Sequence, residues 1–156
     1  MTDSNYIGQA TAPQRRIRHF FTLEEANSSL VLVRRIVTDV VGHYDRLVEV
    51  HETVEALETA GRFGQVEDAR DELVHTADRI RICLEELEDV GVELCDWELG
   101  IVDFPAQSEG REVRLCWRSD EPRVMHWHEL DACHLGRYEV ATLRNAKGAR
   151  ATTSTR

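Results

Sequence analysis

The sequence contains no cysteine pair at CxxC spacing, a single lysine and no long apolar run, and each shortage removes a class of protein. Cys83, Cys95, Cys116 and Cys133 stand far apart, which suits neither a small disulfide scaffold nor a structural zinc site built on close pairs. They read as free thiols. The lone lysine, Lys147, lies in a polar C-terminal stretch, so a Schiff-base nucleophile is not expected. No apolar run approaches the roughly 18 residues that a membrane helix needs. The N-terminal stretch lacks the basic start, apolar middle and small-residue cleavage site of a secretory leader. The cytoplasm is the expected location, with no membrane partner. A glycine-rich phosphate loop, a GxSxG elbow and a dinucleotide fingerprint are missing too.

What is present is the composition of one folded domain. The apolar share of 42% and charged share of 31% in 156 residues exclude a disordered chain and allow one modest core. The net charge of -10 is uneven, because Glu24–Glu98 carries 20 acidic and 7 basic residues while the rest carries 9 and 12. Such an acidic segment repels phosphate backbones and argues against a nucleic-acid partner. Arg15, Arg16 and Arg18 read as a solvated lead-in. The expected layout is a flexible segment over 1–19, a single domain over 20–140 and a disordered tail over 141–156.

Thr22 followed by Glu25 forms a capping box and opens a helix. Apolar positions then alternate at four and three: Ala26, Leu30, Val33, Val37, Val40, Tyr44, Leu47, His51, Val54 and Leu57. A helix of about 36 residues is roughly 54 Å long and needs a partner. After the break at Gly61–Gly64, a second seam runs through Val66, Ala69, Leu73, Ala77, Ile80, Leu84 and Leu87. Gly91 then serves as the glycine cap. The two predict an antiparallel hairpin over 22–91. Flanking apolar residues such as Ile36, Val48, Val74 and Ile82 widen the stripe beyond one partner helix. Either the β region or a second copy of the chain must cover it, so a homo-oligomer is expected.

From Val92 to about 138 the period shortens to two. Val92–Leu94, Ile101–Phe104, Glu112–Trp117 and Val124–Trp127 read as short strands between turns at Gly100, Pro105, Gly110 and Pro122. In the third, Val113, Leu115 and Trp117 share one face and Arg114, Cys116 and Arg118 the other. The fold class is α+β, a long antiparallel helical hairpin followed by a small antiparallel meander of about three strands.

The densest polar cluster runs from Met125 to His134. His126 and His128, two apart on a strand, face one way and suit a shared ion, with Glu129, Asp131, Cys133, His134 and Asp103 as further donors. The competing reading is structural: a histidine bonded to a carboxylate, tryptophans filling the core, and Asp131 capping a turn. His51 reads as a satisfied seam histidine. Glu72 with His75 is half of a di-iron motif, with no second half.

These segments resemble a known family. Its opening is matched by Phe21–Asn27 and Leu32–Val37. Its middle is matched by Gly91–Leu94, Gly100–Ala106 and Leu115–Arg118, and its close by Glu121-Pro122, Trp127–Ala132 and Gly136-Arg137. The family is the prokaryotic domain of unknown function numbered 2203, and the resemblance implies identity rather than activity. In its pattern His126 stands for an aromatic, Cys133 for glycine and His134 for phenylalanine, which sets those three aside. The resemblance leaves Asp103, Trp117, Glu121, Trp127, His128, Glu129, Asp131 and Arg137 as the candidate ligand or structural polar site. On this basis the chain is expected to be a homo-oligomeric interaction or small-ligand-binding module. The alternative is a metal-dependent or acid–base enzyme using the Trp-His-Glu-Leu-Asp region, with His128, Asp131 and Asp103 as ligands of a divalent metal.

Overall fold

The computed structural model describes residues 18–132 and 134–144. Of the expected flexible segment over 1–19 and tail over 141–156, all but residues 18–19 and 141–144 lie outside the described residues, and so does Cys133. Helix α1, Leu23–Thr59, starts as its sequence dictates. The Thr22 hydroxyl accepts from the Glu25 amide at 3.1 Å and the Glu25 carboxylate accepts from the Thr22 amide at 2.8 Å. Helix α2, Phe63–Val90, ends at Gly91, whose φ of 94° lets its own N–H and that of Val92 return to the Leu87 carbonyl. Among the described residues no helix is long and apolar enough to cross a membrane.

The two helices pair as expected, with one local departure on α1. Val50, rather than His51, is buried, and His51 is exposed. Val54 beyond it is buried on the expected seam, so the departure is local and the seven-residue register holds. On α2 Val66, Ile80 and Leu87 are buried as expected, while Thr76 and Cys83 are buried in place of Ala77, which is exposed, and Leu84, which is only half-buried. Thr76 can enter the seam because its hydroxyl donates to the Glu72 carbonyl one turn back, at 2.8 Å. Glu72 itself accepts from Arg46 at 2.8 Å and His75 is exposed, so the half-motif gathers no site.

Five strands rather than three follow: β1 (Glu93–Asp96), β2 (Ile101–Ser108), β3 (Arg111–Arg118), β4 (His126–Glu129) and β5 (Tyr138–Glu139). They form one antiparallel sheet in strict chain order, β1-β2-β3-β4-β5. β1 overlaps the strand expected at Val92–Leu94, and the strand not expected is β5, two residues long and too short for alternation to announce it. One sheet face supplies Val102, Phe104, Ala106, Val113, Leu115, Trp117 and Trp127 to the core, against Ala26, Leu30, Val33, Val37 and Val40 of α1 and Cys83 and Leu87 of α2. The sheet thus covers much of the wide helical stripe. Val50, Val54, Val66 and Ile80 lie outside this cluster, buried farther along the hairpin.

Gly100 seats the sheet on α1. It has φ +63°, and a Cβ there would lie 2.9 Å from both Val37 Cγ1 and Ser119 Oγ. Lead-in residues also pack: the Phe21 N–H donates to the Pro105 carbonyl at 2.7 Å, and its ring meets Phe104 edge-on at 5.2 Å.

Candidate functional site

The sheet's second face is polar, and it is buried as well. Registry places Asp103 opposite Cys116, and Cys116 opposite His126; Arg114 lies opposite His128. Asp103, Cys116 and His128 therefore come together from β2, β3 and β4, with relative exposures of 6%, 0% and 2%. One donor atom from each lies within 4.8 Å of the others.

His128 is oriented by its own chain. Its Nδ1 is 2.7 Å from the Glu129 carbonyl, which can only accept, so the proton sits on Nδ1. Nε2 then points at Asp103 Oδ2, 2.9 Å away. With neither atom protonated, two lone pairs would face each other, so this contact needs a proton or a cation between them. Asp103 Oδ1 is buried and accepts no well-formed hydrogen bond from a described residue, although the Cys95 and Cys116 thiols lie close enough to its carboxylate to interact with it. An unsatisfied buried carboxylate oxygen costs free energy, and such an atom calls for an explanation.

Burial, and after it the charge of Asp103, pushes the Cys116 thiol up to about 12. Cys95, at the irregularity in β1 between Leu94 and Asp96, is raised too, first by burial of its thiol and then by Asp103, although the residue as a whole is exposed. Its Sγ approaches the Glu93 carbonyl at 3.7 Å. Without a cation both thiols are neutral near pH 7. A bound divalent ion reverses that preference and takes the thiolate.

Glu121 anchors one flank. Its carboxylate accepts from the Arg118 amide at 2.8 Å and from Arg137 at 2.9 and 3.2 Å, and its carbonyl accepts from Trp117 Nε1 at 3.0 Å. Arg137 also reaches Cys116, with Nη1 3.9 Å from Sγ. His126 Nδ1 lies 3.3 Å from Glu121 Oε1 but makes no hydrogen bond.

The sequence-derived candidates are therefore divided. Asp103 and His128 meet directly, with Glu121 and Arg137 beside them. Trp117 and Trp127 are on the opposite, core face, where Trp127 Nε1 donates to Thr142 Oγ1 at 3.0 Å and Arg34 lies over the Trp117 ring at 5.0 Å. Glu129 is paired with Arg111, and Asp131 is exposed on the turn after β4. Asp131 is thus not in the donor cluster, and the third member is Cys116. Sequence reasoning placed Cys116 on the polar face yet classed it as a free thiol. The missing step is registry: nothing local says that Cys116 sits opposite Asp103. His126 shares the strand face of His128 as expected, but it turns to Glu121.

Residues 19–140 match the model of a family described as "Uncharacterized conserved protein (DUF2203)". No curated protein and no solved structure matches the chain.

Proposed function

The chain belongs to the DUF2203 family, and from its own side chains we propose that it binds a divalent transition metal of the zinc class at Asp103, Cys116 and His128. The observation that carries this reading is the convergence of a carboxylate, a thiol and an imidazole within 4.8 Å, with Asp103 Oδ1 accepting no well-formed hydrogen bond from a described residue. Metal–ligand bonds of about 2.0–2.3 Å put tetrahedral ligand atoms about 3.3–3.5 Å apart. The cluster reaches that geometry with shifts of under about 1.5 Å. A histidine whose Nδ1–H is held by a carbonyl presents its Nε2 lone pair, the usual support of a metal-bound imidazole. Mixed nitrogen, sulfur and oxygen donors suit zinc or cobalt better than magnesium or calcium, which prefer oxygen alone.

An acid–base enzyme is less well supported, because His128 Nε2 and Asp103 Oδ2 already face each other at 2.9 Å. A cytoplasmic home fits the free thiols, since reducing conditions preserve them.

The test is elemental analysis of the full chain purified without a histidine tag, followed by zinc titration of chelator-treated protein. One equivalent is expected, with zinc at 100 times its Kd adding about 2.7 kcal/mol of stability. Asp103→Ala and Cys116→Ser, shown folded by circular dichroism, should lose both effects. A wild-type chain that neither retains nor binds zinc would sink the proposal.

Self-association is a second reading. It is favoured by Phe63 and Val74, exposed at 70% and 60% and 11 residues apart along one side of α2. Light scattering that finds a monomer at micromolar concentration removes it.

A further inference from the structure

Resting on the metal-site reading, the geometry points to an ion with three protein ligands and an exchangeable fourth position, which opens onto the cavity beside Cys116 and accepts a small anion in place of water. Among the described residues three donors converge: Cys95 comes close enough from the edge strand to interact with Asp103, but its Sγ lies against the Glu93 carbonyl at 3.7 Å and it is not in the cluster of donor atoms. A zinc-class ion bound by three side chains completes its tetrahedron with water or another small ligand, whereas structural sites close all four positions with protein atoms.

The cavity, of about 390 Å³, lies on the same sheet face. Ile101 and Arg118 in its wall pair with each other across β2 and β3, two residues along from Asp103 and Cys116. His126 in the wall faces Cys116 directly across β3 and β4. Leu135 and Arg137, from the chain after β4, line it as well. The space therefore begins one step along the strands from the donors.

Arg137 links the two. It lines the cavity, its Nη1 is 3.9 Å from Cys116 Sγ, and Glu121 fixes its guanidinium at 2.9 and 3.2 Å. Beside it, His126 Nδ1 is buried without a hydrogen bond. An ion held by one thiolate, one carboxylate and a neutral imidazole has its two positive charges balanced. A monoanion at the fourth position leaves the centre one charge negative, and Arg137, although paired with Glu121, still has Nη1 directed at Cys116 as a donor toward it. The ligand class that fits is a small monodentate anion, such as thiocyanate or a short carboxylate.

The experiment is visible absorption of the full chain loaded with cobalt(II), whose bands report coordination number and thiolate ligation, titrated with sodium thiocyanate. A saturable shift of the bands is expected. Arg137→Ala should weaken the thiocyanate titration about tenfold, and Arg137→Lys, which keeps the charge and guards against loss of fold, should recover part of it. Cys95→Ser should leave the cobalt spectrum unchanged. A cobalt spectrum with thiolate character that ignores thiocyanate overturns the inference and leaves the metal site standing. So does a Cys95→Ser variant that loses thiolate absorption, because Cys95 then fills the fourth position. Failure to bind cobalt at all removes the metal-site reading, and this inference with it.

Discussion

The two faces of the sheet are buried to similar depths and built from opposite chemistry. Toward the helices stand Phe104, Leu115 and Trp117, each at most 1% exposed; away from them stand Asp103, Cys116 and His128, at most 6% exposed. The first face obeys the rule that burial removes apolar area from water. The second breaks it, since burying a carboxylate and an imidazole costs several kcal/mol unless each is satisfied. Branched aliphatic residues on both faces would avoid that cost, and the polar face is what the proposed metal site would account for.

Four outcomes break or sharpen this contrast, from the largest effect to the smallest. On the apolar face Trp117→Ala removes a fully buried indole and its bond to Glu121, and urea denaturation should show a loss of about 3–5 kcal/mol. On the polar face, in chelator-treated protein, Asp103→Ala should cost about 3 kcal/mol by stranding His128. Asp103→Leu combined with His128→Leu should come out near neutral, because an apolar pair removes both desolvation penalties. If the double variant is as damaged as the single one, the face is structural and the contrast fails.

The third outcome concerns Cys83, a thiol on the helical side of the core. Burial, then Asp39 and Glu86, raise it above the ordinary value of 9.0. Between the unfolded and folded pKa the native state keeps a proton that the unfolded chain has lost. Stability from this group is therefore intact below the unfolded value and falls as pH rises past it, by no more than about 1.4 kcal/mol per pH unit. Denaturation midpoints taken from pH 8 to 10 should decline less steeply in Cys83→Ala than in the wild type. Least of all should change on the hairpin surface: Arg46 meets Glu72 at 2.5 Å with both side chains about half exposed, and Arg46→Ala should leave the urea midpoint almost unmoved, with any difference vanishing in high salt.

Signals confined to a few residues could be read in advance. Thr22 with Glu25, Gly91, and the alternation of Val113, Leu115 and Trp117 each carry their structure within one turn or strand. The helical seam was legible at Val33, Val40 and Val54 and at Val66, Ile80 and Leu87, and it failed locally at His51, Ala77 and Leu84, where a neighbouring residue takes the buried position. The candidate site was half legible. Asp103 and His128 stood out as polar residues inside apolar strands, whereas Cys116 gained meaning only from pairing with a strand whose register no local pattern specifies. Trp117 and Trp127 belonged to the candidate set through resemblance, and side-chain alternation sends them to the other face.

The strict chain order of the strands also bears on how the molecule assembles. Each strand pairs with its neighbour in sequence, and Asp103 and His128 are only 25 residues apart. Closing a loop of that size costs little chain entropy, and topologies rich in local contacts fold quickly. The three donors can therefore converge once β2, β3 and β4 have zipped together, before the helical hairpin docks on the other side. Stopped-flow refolding with and without zinc should then separate two events, with the ion accelerating formation of the meander and leaving the docking of α1 at its own rate.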